Sequence, residues 1–268
     1  MPGPATLRCG GNTPCVEVRC GPRVIVLDAG TGIRGLGQSL EAEGAVSVDL
    51  LISHPHMDHL QGFPFFNLAY DPRARINIHV PPLKDFDGPE PFHRLMEAPH
   101  FPVMFDKLPA EIRFQEAHPD NRLGPVRLRT HPVNHPGGCF AFRLEYEGRS
   151  VVYQTDHEPY LRLSGASYHQ EELDASLLSF LRGADLLIRE AQYTAEEYEH
   201  HRGWGHGTFE DAASDALKAG VRRLALFHHD PDHDDQFLEA ALGRLQAAYL
   251  SSDFEIFLAR EGQCIELA

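Results

Sequence analysis

Short apolar runs and apolar–polar alternation recur through the first half of the chain, at residues 15–20, 23–28, 48–53 and 76–80. A period of two puts successive side chains on opposite faces, so each run predicts a strand. Further strands are predicted at residues 111–115, 126–133, 139–146 and 150–155, with Glu147-Gly148 as a hairpin turn between the last two, and all four are expected to pair antiparallel. Beyond Asp156 the period changes. Helices predicted at 172–181, from Phe209 onward and at 235–250 alternate with short strands at 185–188 and 223–227.

Thr208 with Asp211 three positions later reads as a helix N-cap, and Phe209, Ala212, Ala213, Ala216 and Leu217 form one apolar face. Gly220 stops that helix. Phe237, Leu238, Ala241, Leu242, Leu245 and Tyr249 recur at helical spacing and are assigned to core. Two strand-rich blocks, each followed by helices, bury themselves most simply as two sheets face to face with helices outside: an α/β (α+β) four-layer αββα sandwich, expected as one domain over residues 1–268. Residues 81–109, rich in Pro, Phe and Asp, read as an irregular excursion of the kind that shapes substrate pockets.

The chemistry concentrates where strands end. His54-Pro55-His56-Met57-Asp58-His59 follows a buried strand, so His54 and His56 share a face while the chain is extended, and Asp58 and His59 project differently once it turns. His135, Asp156 and His228 each close a later apolar run. Together they make two nitrogen-rich ligand sets and one carboxylate placed to bridge them, a donor set suited to two metal ions. His229 competes with His228 for the last position; strand alternation lets only one face the site, and His228 is preferred. His157, His200, His201 and His233 are expected to be solvated. The glycines of Asp28-Ala29-Gly30-Thr31-Gly32 let the backbone turn tightly beneath the metal segment, with Asp28 supporting the ligands from behind.

Composition narrows the class. No basic segment followed by an apolar one opens the chain, and no apolar run approaches the roughly 20 residues that span a bilayer. Five cysteines without a Cys-x-x-Cys argue against a disulfide framework or a cysteine zinc site, and a cytoplasmic location is expected. The formal charge of −15 repels polyanions, so long nucleic acid is expected to be an unlikely partner and a small-molecule anionic substrate the expected one. A pair of divalent cations would offset about four charges locally.

In order along the chain, Asp28, His54-x-His56-x-Asp58-His59, His135, Asp156 and His228 resemble the five motifs of the metallo-β-lactamase-fold hydrolases. The resemblance implies the αββα fold, two divalent metals, usually zinc with manganese or iron as alternatives, and a metal-bridging hydroxide as nucleophile. His56 stands where the di-iron relatives usually carry glutamate, which favours hydrolysis. It also implies a chain that begins inside a loop, past a first N-terminal strand. Ile188-Arg189-Glu190-Ala191 and Trp204-Gly205-His206-Gly207-Thr208-Phe209 are similar to segments of ribonuclease Z-like phosphodiesterases, although Arg189 and Gly207 depart from the usual histidine and serine.

The function expected is a two-metal phosphodiesterase acting on a small or cyclic phosphodiester, with Asp58, His206 and Glu190 as catalytic residues, Glu190 orienting the His206 ring. Hydrolysis of a lactone, thioester or β-lactam is the alternative on the same site. A non-catalytic metal-binding regulatory protein is the alternative of another class.

Overall fold

The computed structural model describes residues 2–83, 88–164, 167–249 and 254–267, in two compact units: Asn12–Leu123, and Met1–Gly11 with Gly124–Ala268. In the first unit β1 (Val16–Cys20), β2 (Arg23–Leu27), β3 (Ser47–Leu51), β4 (Arg75–Val80) and β5 (Glu111–Glu116) lie side by side in chain order. Gly21, at φ 59°, turns β1 directly back onto β2, so this pair is antiparallel. The remaining neighbours are parallel. Parallel neighbours need crossover connections, and α1 (Ile33–Ala42) supplies the one between β2 and β3.

Residues 81–109 are less irregular than their composition suggests. They contain α3 (Glu90–Leu95), which follows α2 (Met57–Leu60) in the chain, while residues 84–87 lie outside the described set. Phe92 and Phe105 pack against Phe63 with ring centroids 4.9 and 5.9 Å apart, so this stretch builds core beside the sheet. The short strand β6 (Asp120–Leu123) ends the unit.

Six strands of the second sheet lie in the second unit: β7 (Val126–Val133), β8 (Cys139–Tyr146), β9 (Arg149–Gln154), β10 (Leu186–Glu190), β11 (Arg223–Phe227) and β12 (Glu255–Leu258). β7 to β9 are antiparallel and β9 to β12 parallel. Glu147 and Gly148 hold φ 48° and 77°, the pair of left-handed residues that a two-residue hairpin matched to strand twist requires. The expectation of antiparallel pairing fails for residues 111–116, which join β4 in parallel.

Five helices accompany these strands among the described residues: α4 (Tyr160–Ser164), α5 (Tyr168–Leu181), α6 (Ala195–His201), α7 (Phe209–Lys218) and α8 (Asp235–Ala248). α5 starts four residues before the predicted 172, because Ser167 and Gln170 close a capping box. α8 ends at Ala248; Leu250, the predicted end, is outside the described residues. Thr208 caps α7 as read, accepting the Asp211 N–H at 3.1 Å. Phe209, Ala212, Ala213 and Ala216 are buried, whereas Leu217 is exposed because it lies at the margin of the stripe.

Arg189, on β10, is fully buried, and its guanidinium donates to Asp215 of α7 at 2.5 Å. Removing one partner of a buried pair leaves the other charge uncompensated. Asp215→Ala is therefore expected to destabilise the protein by about 3–5 kcal/mol, read from urea denaturation. An unchanged midpoint would show that the guanidinium is compensated elsewhere.

Candidate metal centre

The first unit carries His54, His56, Asp58 and His59. His56 is extended (φ −64°, ψ 151°) and α2 begins at Met57, so the chain turns between the two pairs. The His54 ring lies 4.5 Å from His56 and 4.2 Å from His59, centroid to centroid. Behind them Asp28 is fully buried in a left-handed conformation, φ 61°, which a short polar side chain tolerates better than most. Its carboxylate accepts the Ser53 N–H at 2.7 Å, the Ser53 hydroxyl at 2.8 Å and His59 Nδ1–H at 2.8 Å.

The Ser53 hydroxyl has only one proton, and that proton goes to Asp28. Toward His54 Nδ1, 3.0 Å away, the same oxygen therefore accepts. Both rings are thus fixed as Nδ1–H tautomers with the lone pair on Nε2, the form in which imidazole binds a metal. Gly30 is required here because a Cβ would lie 2.5 Å from the Asp58 carbonyl oxygen.

The second unit carries His135, Asp156 and His228 after the ends of β7, β9 and β11, Glu190 as the last residue of β10, and His206 in the loop before α7. His135 Nδ1–H donates to the Gly205 carbonyl at 2.9 Å, and His228 Nδ1 is 3.2 Å from Gln192 Oε1. Their Nε2 atoms turn to the two oxygens of buried Asp156: His135 to Oδ2 at 3.5 Å and His228 to Oδ1 at 3.3 Å. His228 reaches that position with φ 51°, a strained conformation worth about 1–3 kcal/mol that persists only when surroundings enforce it. His229 turns the other way, stacks on Phe209 and donates to Ala191 O at 3.2 Å.

Neutral Nε2 lone pairs pointing at a carboxylate repel it, and a divalent cation between them converts that repulsion into coordination. The same holds where His59 Nε2 lies 3.2 Å from Asp58 Oδ2. These residues fit a divalent metal by the chemistry of the donor set and by the backing of each ring.

His206 stacks on His228 with centroids 5.5 Å apart, and Asp156, His206 and His228 each bring a ligand atom within 4.8 Å of the others. Glu190 does not orient its ring as expected. Glu190 Oε2 is 4.0 Å from His206 Nδ1, too far for a hydrogen bond, because its oxygens accept the Gly207 N–H at 2.6 Å and the Gln192 N–H at 3.1 Å. Burial pushes the Glu190 carboxyl up to about 8, against the pull of Arg189 and the Gly207 amide.

His157 and His233, expected in solvent, are buried. His157 Nδ1 accepts the Asn134 N–H at 3.1 Å, and His233 stacks on Phe237 at 3.9 Å while meeting Glu197 at 2.9 Å. Glu158 escaped the sequence reading altogether. It is buried two residues beyond Asp156 and accepts the Gly203 and Gly205 amides at 2.9 Å each. A lone acid before a proline carries no pattern that would single it out.

Comparison with known proteins places this geometry. The model of the beta-lactamase superfamily domain matches residues 23–229. Ribonuclease Z of Ignicoccus hospitalis is 33% identical over 55% of this chain and 46% of its own length. Ribonuclease Z of Pyrococcus furiosus is 25% identical, with 95% of this chain and 93% of the relative covered. The chain spans under half the length of several curated relatives it matches. Among solved structures, the metallo-beta-lactamase fold protein YhfI from Bacillus subtilis superposes with a TM-score of 0.67 at 20% identity, covering 97% of this chain and 96% of that one. Human tRNase Z, short form, gives 0.62 at 20% identity over 100% and 96%.

The two-sheet α/β architecture is thus the metallo-β-lactamase fold. The ribonuclease relatives overturn the expectation that long nucleic acid is an unlikely partner. Net charge sums the whole surface, whereas binding depends on local groups and bound cations. No described helix is long and apolar enough to cross a membrane.

Burial holds the pKa of His157 well below its ordinary value, with the Arg189 charge adding to the effect, and burial lowers His229 to about 4. Because the unfolded chain takes these protons first, near pH 6.5, stability is full above that pH and falls as pH drops toward about 4. Metal-free protein should show urea midpoints that decline between pH 7 and 4.5. His229→Gln should flatten the decline; an unaltered slope would assign it to other groups.

Proposed function

The chain belongs to the beta-lactamase superfamily, and on that premise we propose that it is a two-metal phosphodiesterase that hydrolyses RNA. The observation that carries the reading is Asp156, whose two oxygens face the Nε2 atoms of two different histidines. The donors would be His54, His56, Asp58 and His59 in the first unit and His135, Asp156 and His228 in the second, with Asp156 shared by two metals. Zinc suits a set dominated by neutral imidazole, completed by carboxylates. When bound, the two cations would supply an activated water and polarise the phosphoryl group.

The remaining roles belong to the protein's own side chains. Asp28 fixes His59 and, through Ser53, His54. The Gly205 carbonyl fixes His135. His206, beside His228, donates a proton to the leaving oxygen, and Glu190 holds the Gly207 turn that presents it. RNA replaces the small or cyclic phosphodiester expected from sequence, because the curated relatives are ribonucleases. Five free cysteines accord with the cytoplasmic setting this substrate implies.

Zinc-replete protein should contain two metals per chain and cleave a tRNA precursor as well as a p-nitrophenyl phosphodiester. Asp156→Ala should reduce the metal content and abolish both activities. Two bound metals with turnover of a lactone or thioester and of no phosphodiester would overturn the proposal.

Proton donation by His206 matters most for poor leaving groups, where a positioned acid contributes about 10²- to 10⁴-fold. His206→Ala should therefore slow an alkyl phosphodiester far more than a nitrophenyl one. Equal losses at unchanged metal content would leave His206 a binding residue or a ligand.

A further inference from the structure

Trp204 is the only tryptophan in the chain and is 61% exposed. Leaving so large an apolar ring in water forgoes burial that most proteins use, so its surroundings decide whether the exposure is incidental. They hold it in place. Gly203 and Gly205, on either side, adopt φ 87° and 91°, and the amides of both donate to the carboxylate of Glu158, which is 1% exposed. The backbone N–H of Trp204 donates to His201 O at 3.0 Å. The backbone is thus tied down before, at and after the indole.

The rings beneath are equally ordered. Trp204 meets His201 perpendicularly at 4.8 Å, and His201 stacks on buried Tyr193 at 4.4 Å. Tyr193 meets His206 at 6.0 Å, and His206 stacks on His228. A continuous run of ring contacts therefore leads from a proposed metal ligand to the exposed indole. Trp204 and His206 are two residues apart, so their Cα atoms are within about 7 Å, a span on the order of one nucleoside.

We propose that Trp204 is a platform on which a nucleobase adjoining the scissile phosphodiester stacks, so that the site selects nucleotidyl substrates over simple phosphodiesters. This rests on the phosphodiesterase reading above and adds the group that recognises the substrate. With a formal charge of −15, the surface as a whole does not attract a polyanion, and stacking supplies affinity that needs no positive charge. Every base has a π face, so such a platform tolerates sequence.

The test uses the metal-loaded protein and two substrates with one leaving group: uridine 5′-(p-nitrophenyl phosphate), which has a base, and methyl p-nitrophenyl phosphate, which has none. Trp204→Ala should lower the ratio of kcat/KM for the uridine ester to that for the methyl ester by about 5- to 150-fold, the range one base–aromatic stack contributes. Trp204→Phe should restore most of that ratio. Because Trp204 is the only tryptophan, its emission reports directly on its own environment: uridine monophosphate should quench it and ribose 5-phosphate should not. An unchanged ratio, or equal quenching by both ligands, overturns the inference; so does absence of quenching, as expected if the ring instead docks a protein. If wild-type protein hydrolyses neither ester, the phosphodiesterase reading fails, while the paired quenching still decides for or against the platform.

Discussion

Histidines held from behind by a buried acceptor, with a carboxylate in front, organise this chain. Asp28 accepts from Nδ1 of His59, and that commits the Nε2 lone pair to face another acid, Asp58. In the second unit the roles of backing group pass to the Gly205 carbonyl and Gln192, and Asp156 stands in front. Such an arrangement is electrostatically poor in itself. It becomes favourable when positive charge enters, and so much of the surrounding structure reads as scaffolding for that event. The left-handed turn at His228 and the close backbone approach at Gly30 are local costs that serve it.

Most strands of both sheets were legible because each carries its own period; β6 and β12, of four residues each, are too short to show one and were missed. So was the α7 cap, since Thr208 and Asp211 satisfy each other within one turn. Pairing direction at residues 111–116 was not legible, because it depends on which strand lies alongside rather than on the segment itself. The candidate ligands could be found since they cluster at strand ends. What fixes them could not: Ser53 matters through the destination of one proton, and Glu158 through amides 45 and 47 residues away. Glu190 shows the opposite error, a neighbour chosen by motif whose oxygens are taken by backbone amides.

Charge taught a similar lesson about substrate. A sum of −15 describes the field far from the surface, and from that distance a polyanion is repelled. Close to the site the relevant terms are local, namely the cations the ligands would hold and the rings around them. The ribonuclease relatives are consistent with the second description having precedence.

Gly205 connects matters that would otherwise vary separately. Its carbonyl sets the tautomer of His135, its amide is held by Glu158, and a Cβ there would sit 2.3 Å from His135 Nδ1. Descendants of this sequence are therefore free to explore position 204, where the side chain faces solvent, but almost any replacement at the next codon displaces a histidine seventy residues earlier. Variation in what the loop recognises is thereby partitioned from variation in what the centre does. The boundary between adaptable and frozen sequence falls between two adjacent residues.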